Sequence, residues 1–195
     1  MKIKWSSSPK MTEEEATAEQ LTRAGWLYHE LGLRLAALGL TLAAAVVVGV
    51  DKETEVVSVS IASSLPPLRV PVTAKWNYMS SIVYFMASNA IASSYAIVSL
   101  CFAAFAPRDN IRLVLGILDA GMVGFLLSAN GACAAIGVIA REGNSHVHWN
   151  KVCDLFSTFC NRMAAAVILS LIGSSLFLFL TVLNMVKLHE KSRSR

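Results

Sequence analysis

The stretch LVLGILDAGMVGFLLSANGACAAIGVIA, residues 113–140, decides the fold. It is apolar or small throughout except for Asp119 and a few uncharged polar residues. A run of about 18 or more such residues with almost no charge reads as a transmembrane helix. Three further runs of this kind lie on either side, at 27–50, 78–106 and 163–188. Each is long enough to cross a hydrocarbon core of about 30 Å at 1.5 Å per residue. The expected architecture is an all-α, four-transmembrane-helix bundle forming one membrane domain over 27–188.

The whole composition agrees with that reading. The chain has 195 residues, 55% hydrophobic and 15% charged, with a mean hydropathy of +0.55. Soluble domains carry about 25% charged residues. Residues 1–26 form a polar tail, in which Thr12 and Glu15 have capping-box spacing. Glu13, Glu14 and Glu15 stand where the apolar core of a cleavable leader would lie, so the first span is expected to act as its own signal. Residues 189–195 form a short basic tail. The loops are unequal: 51–77 carries Pro66, Pro67 and Pro71, which exclude a regular helix; 107–112 is a tight basic turn; 141–162 holds His146, His148, Cys153 and Cys160.

Lys and Arg set the orientation. With both ends inside, ten lie on cytoplasmic segments and six on the outside loops 51–77 and 141–162. The positive-inside rule then places both termini in the cytoplasm.

Arg34 and Asp119 are read as the full charges inside the spans. Arg34 lies seven residues from the inner start of span one, Asp119 six from that of span three. Both are therefore about 10 Å deep. Opposite charges at one depth are expected to pair, since a lone charge costs about 3 kcal/mol in the bilayer centre. Arg34 alone could instead snorkel to the headgroups, but the short Asp119 side chain has no such escape. Span three also carries a small residue at every fourth position: Gly116, Ala120, Gly124, Ser128 and Ala132. Such a stripe lets another backbone approach closely, and it marks span three as the expected central helix. Asp119 and Asn130 share a different face, expected to carry polar contacts between helices.

Cys101 and Cys133 lie within spans and read as packing residues. Cys153 and Cys160 lie in an outward loop, where a disulfide is the leading reading. Seven residues of regular helix would hold their Cα atoms about 10 Å apart, so the segment must bend if the bond forms. Zinc held with His146 and His148 is the alternative, although His-x-His with Cys-x6-Cys does not follow structural zinc spacing. A Cys–His nucleophile lacks an orienting third group. No catalytic, cofactor or metal residues are assigned, and no phosphate loop or metalloprotease motif occurs.

Four stretches carry a resemblance: LGLRLAALGLTLAAAVVV (31–48), YFMASNAIASSYAIVSL (84–100), LDAGMVGFLLSANGACAAIGVIAREGN (118–144) and HVHWNKVCDLFSTFCNRMAAAVILSL (146–171). On these the chain resembles the CASP-like proteins of the plant Casparian strip membrane protein family, related to MARVEL tetraspan proteins. The resemblance implies four spans, cytoplasmic ends, an Arg and an Asp at Arg34 and Asp119, and paired loop cysteines at Cys153 and Cys160. It also implies a plasma-membrane address. Founding members form immobile platforms that recruit cell-wall enzymes for lignin deposition. The loop SSLPPLRVPVTAKWN (63–77) does not match the signature of strip-forming members.

The expected function is a non-enzymatic plasma-membrane scaffold. Its partners would be the lipid bilayer, further copies of itself or family members as a homodimer or larger oligomer, and secreted cell-wall enzymes; no nucleic acid is expected. The alternative is a small channel or transporter, which would ordinarily show several intramembrane ionisable groups or broken helices. A membrane enzyme would rest only on the loop histidines and cysteines.

Overall fold

The computed structural model describes residues 13–59, 68–105, 109–147 and 149–193. Thr12, Pro66, Pro67, Arg108, His148 and Arg195 lie outside the described residues. Four helices dominate: α1 (Glu13–Gly49), α2 (Ser80–Phe105), α3 (Asp109–Glu142) and α4 (Ser157–Arg193). All four are long and apolar enough to cross a membrane. In hydrocarbon every backbone polar group must be satisfied within the segment, which leaves the helix as the form for these runs. α1, α3 and α4 run past the spans read from hydropathy, because polar end residues continue the helix into the headgroup region, while α2 lies just within its span. Thus α1 begins well inside the 1–26 tail, and α4 begins at Ser157, ahead of 163.

Neighbours pack as α1–α2, α2–α3, α3–α4 and α4–α1. This is a ring of four corners with no helix at its centre, which corrects the expectation that span three is central. The α3 stripe explains the difference. Gly116 is buried against Asn184, but Ala120, Gly124 and Ser128 are exposed and Ala132 is half-buried. The stripe mostly points away from the bundle. The tight approach occurs elsewhere, at Gly173 of α4, where an added Cβ would stand 3.0 Å from the Thr41 methyl of α1.

Two apolar clusters fill the interior. One, nearer the termini, gathers Ala37, Ala92, Ala96, Leu126, Phe177 and Leu180. The other, nearer the long loops, includes Ala44, Val48, Phe85, Cys133, Met163 and Ala166. On every helix a polar residue falls between the two sets: Thr41, Asn89, Asn130 and Ser170, all buried. Ser93 donates to Thr41 at 3.0 Å, joining α2 to α1. Among the described residues Asn130 has no hydrogen-bond partner on either amide atom, so the polar contact expected of the face it shares with Asp119 is not made there.

Sequence reading left the first loop without regular structure. Its described part is an antiparallel hairpin, β1 (Lys52–Val59) and β2 (Leu68–Lys75), in register from Lys52↔Lys75 to Val59↔Leu68. Pro71, opposite Val56, is tolerated because a two-stranded sheet consists only of edges. The Thr54 and Thr73 hydroxyls meet across the strands at 3.0 Å. At the far end of α3, Gly143 takes φ +72, and a Cβ there would stand 2.7 Å from the Trp149 carbonyl. Only glycine ends the helix this way without strain.

The Asn130 environment sets a prediction. Leaving a buried amide unpaired costs about 1–3 kcal/mol. Asn130→Leu, of similar volume, should raise the midpoint of thermal unfolding in detergent. A lowered midpoint would show that the amide makes a contact worth keeping.

Candidate functional site

The ion pairs among the described residues lie at the two ends of the bundle. At the end near the termini, Arg34 reaches across the ring diagonal from α1 to α3. Its Nη1 and Nη2 donate to Asp119 Oδ1 and Oδ2 at 3.2 and 3.1 Å, and both side chains are fully buried. This forked geometry is the strong form of a charge-assisted pair. Tyr95 of α2 donates to Asp119 Oδ1 at 2.7 Å, and Asn184 of α4 approaches Oδ2 at 3.5 Å. All four helices therefore converge on one carboxylate.

The network extends further than sequence reading took it. Glu30, one turn before Arg34, lies 3.6 Å from Arg34 Nη2, and Lys187 of α4 donates to it at 3.3 Å. Lys187 also stands over the Trp26 ring. Glu30 and Lys187 fall inside the bounds of spans one and four but had been passed over. The available signal was the four-residue spacing of Glu30 and Arg34, which puts both on one helix face. Two acids and two bases leave the cluster formally neutral.

At the opposite end a second set joins the hairpin, the last loop and α4. Asp51, buried just beyond α1, accepts from Arg162 at 3.0 Å. Burial pushes the Asp51 carboxyl above its ordinary value, and Arg162 opposes the shift. Glu53 of β1 accepts from the backbone N–H of Phe159 at 2.6 Å, capping the first turn of α4. Cys153 and Cys160 form a disulfide with Cα atoms 5.7 Å apart. The bend their spacing demanded lies at residues 152–156, ahead of α4, where Leu155 and Phe156 N–H groups turn back to the Val152 carbonyl. Cys133 is buried, and Cys101 is exposed on the helix surface.

The disulfide occupies both loop thiols, His146 is exposed, and among the described residues no three His, Cys, Asp or Glu side chains converge to hold a metal. What the arrangement can do is fix helices relative to one another at both membrane faces.

Comparison with known proteins gives a consistent result. Residues 24–176 match the Casparian strip membrane protein domain. The chain is similar to CASP-like protein 1E2 of Glycine max, at 50% identity over 84% of this chain and 88% of that one. It is similar to CASP-like protein 1E1 of Ricinus communis, at 49% over 88% of each. CASP-like protein 1E1 of Arabidopsis thaliana is 41% identical over 91% of this chain and 94% of that one. No solved structure matches.

Two predictions follow from the geometry at the two ends. Removing one member of a buried pair costs about 3–5 kcal/mol, mostly from the orphaned charge. Arg34→Leu and Asp119→Leu should each cut the folded, surface-delivered fraction sharply, and the double variant should recover much of it. Strict additivity in this cycle would show that the two do not interact. The swap Arg34→Asp with Asp119→Arg should recover less, because Tyr95 and Asn184 are placed for a carboxylate on α3. Separately, closing a short loop by a disulfide contributes about 2–3 kcal/mol in the chain-entropy account. Cys153→Ser with Cys160→Ser should lower the thermal midpoint, and an unchanged midpoint would assign the bond no structural weight.

Proposed function

The chain belongs to the Casparian strip membrane protein family, and from that premise we propose that it is a non-enzymatic scaffold of the plasma membrane. It associates with further copies of itself or of family members, organises a membrane subdomain and recruits secreted cell-wall-modifying proteins. Both termini face the cytoplasm, following the Lys/Arg bias. The hairpin and the disulfide loop face the wall.

The observation that carries this reading is the outward stripe of α3. Ala120, Gly124 and Ser128 are exposed, and an added Cβ at Gly124 would meet nothing within 4 Å. Small residues on a lipid-facing surface let a second helix approach closely, where dispersion contacts and lipid release drive association. A transporter reading finds less support. The charges within the bundle pair with one another, and the interior between them is filled by two apolar clusters. Against an enzyme, the matching family is named for a membrane protein domain and not for a catalytic activity.

Three measurements test this. A fluorescent fusion in plant cells should reach the plasma membrane and recover slowly after bleaching. Gly124→Leu and Ser128→Leu should speed recovery and lower the photobleaching step count without lowering expression. Single-step bleaching and free diffusion of the wild type would overturn self-association, and solute flux in proteoliposomes would favour the transporter. Single cysteines at Glu55 and Ser145, in a background lacking the loop thiols, should react with an impermeant reagent on intact cells. Protection of both would reverse the orientation.

A further inference from the structure

The ring is not equally tight along its length. Tyr84 of α2 closes on α3 through an edge-on contact with Phe125, ring centroids 5.6 Å apart, and a hydroxyl contact with Ser128 at 3.4 Å. Beyond that point, toward the long loops, a cleft of about 730 Å³ lies among α2, α3 and α4. Ligand sites of small-molecule size fall at about 300–1,000 Å³. Ile82, Ile136, Met163, Val167 and Ile168 give it apolar walls. Its lining on α4 runs from Ser157 to Ile168, a depth of about 16 Å at 1.5 Å per residue. Of that depth, Met163 to Ile168, about 8 Å, lies within the span, so the inner half of the cleft reaches into the near part of one leaflet.

The mouth differs chemically from the walls. Lys75 at the end of β2 and Arg141 at the end of α3 both line it, together with Tyr78 and Asp154. Neither cation has an ion-pair partner among the described residues. Lys75 stands ahead of α2 and Arg141 in the last turn of α3, where the chain leaves the spans, both over an apolar slot. A phosphate carrying an acyl chain complements all three features. A free anion would leave the slot unused, and a peptide would leave its backbone unpaired against apolar walls.

We propose that this cleft is a binding site for one phospholipid, with an acyl chain between α2 and α3 and the phosphate at Lys75 and Arg141. The site rests on the fold alone; a chain that proved monomeric and freely diffusing would keep it.

The test uses the full chain. In nanodiscs, a phosphatidylcholine with a diazirine on its acyl chain is photolysed and the labelled residues are mapped. Label should concentrate several-fold at Ile136, Met163 and Val167 over Ile91, Val98 and Val182, which are exposed elsewhere on the bundle. Ala164→Phe, which narrows the cleft from the exposed face of α4, should abolish that excess. In detergent, native mass spectrometry should find phosphatidylcholine retained and a diacylglycerol of the same chains lost. Lys75→Gln with Arg141→Gln should reduce retention about tenfold or more, given roughly 1 kcal/mol per basic residue at a lipid phosphate surface. These two side chains lie at the rim, and unchanged elution and helicity will show that the variant folds. Even labelling around the bundle would mean annular lipid only and overturns the site. So does equal retention of diacylglycerol, or retention indifferent to the loss of both cations.

Discussion

A buried carboxylate in hydrocarbon must be neutralised where it stands, and Asp119 of α3 is held there by side chains of the other three helices at once. Arg34 supplies the charge from across the ring, Tyr95 and Asn184 supply hydrogen bonds from the two flanking corners, and Glu30 and Lys187 balance what remains. Between helices in lipid there is no hydrophobic driving force, since acyl chains are as apolar as leucine. Depth and rotation must come from contacts that lipid cannot offer. Moving any one helix by a turn would carry its member of the cluster about 5.4 Å away and strand a charge. The network therefore sets the register of the ring.

The rest of the molecule reads as consequences of that anchor. With the terminal end fixed, the helices rise together past Leu126 and Phe177 to the polar level of Thr41 and Ser93, where Gly173 lets α4 lie against α1. The far end is closed independently, by Asp51 with Arg162, by Glu53 on the first turn of α4, and by the Cys153–Cys160 bond. Those three ties involve α1, β1 and α4. No comparable polar tie joins α2 to α3 outward of Tyr84 among the described residues, and the cleft lies there. Slack in the ring falls where polar fastening is absent.

How much of this was legible depends on the residue type. Spans were legible because length and charge content suffice. Arg34 and Asp119 could be set at one depth by counting residues along two runs. Glu30 escaped because it sits near a span end, where a charge looks solvated. Tyr95 and Asn184 escaped because an uncharged polar residue in a span has many uses and carries no depth signal. The hairpin was not legible because the prolines of that loop exclude a helix without indicating a strand, and Pro71 fits one only because a two-stranded sheet is all edge. The stripe on α3 was legible as a pattern but not as a direction. In a soluble helix the apolar face points inward; in lipid both faces are apolar, and periodicity of small residues does not say which side they serve.

Direction in such a bundle is carried instead by the polar residues, and the burial pattern makes the argument. Thr41, Ser88, Asn89, Ser93, Asn184 and Asp119 are buried, while Leu35, Val46, Ile97, Ile168 and Phe179 are about half exposed. Lipid accepts the large aliphatic side chains at no cost, so nothing forces them inward. It rejects the hydroxyls and amides, so these turn inward. Ser93 meets Thr41 and Asn184 meets Asp119, Ser88 and Asn89 donate to their own helix carbonyls, and Asn130 has no partner among the described residues. Small residues are indifferent to this sorting, because they bury little surface either way. A row of them left facing lipid, as at Ala120 and Gly124, is a surface that packing within the chain leaves open. It is on that face that the proposed association with a second chain rests.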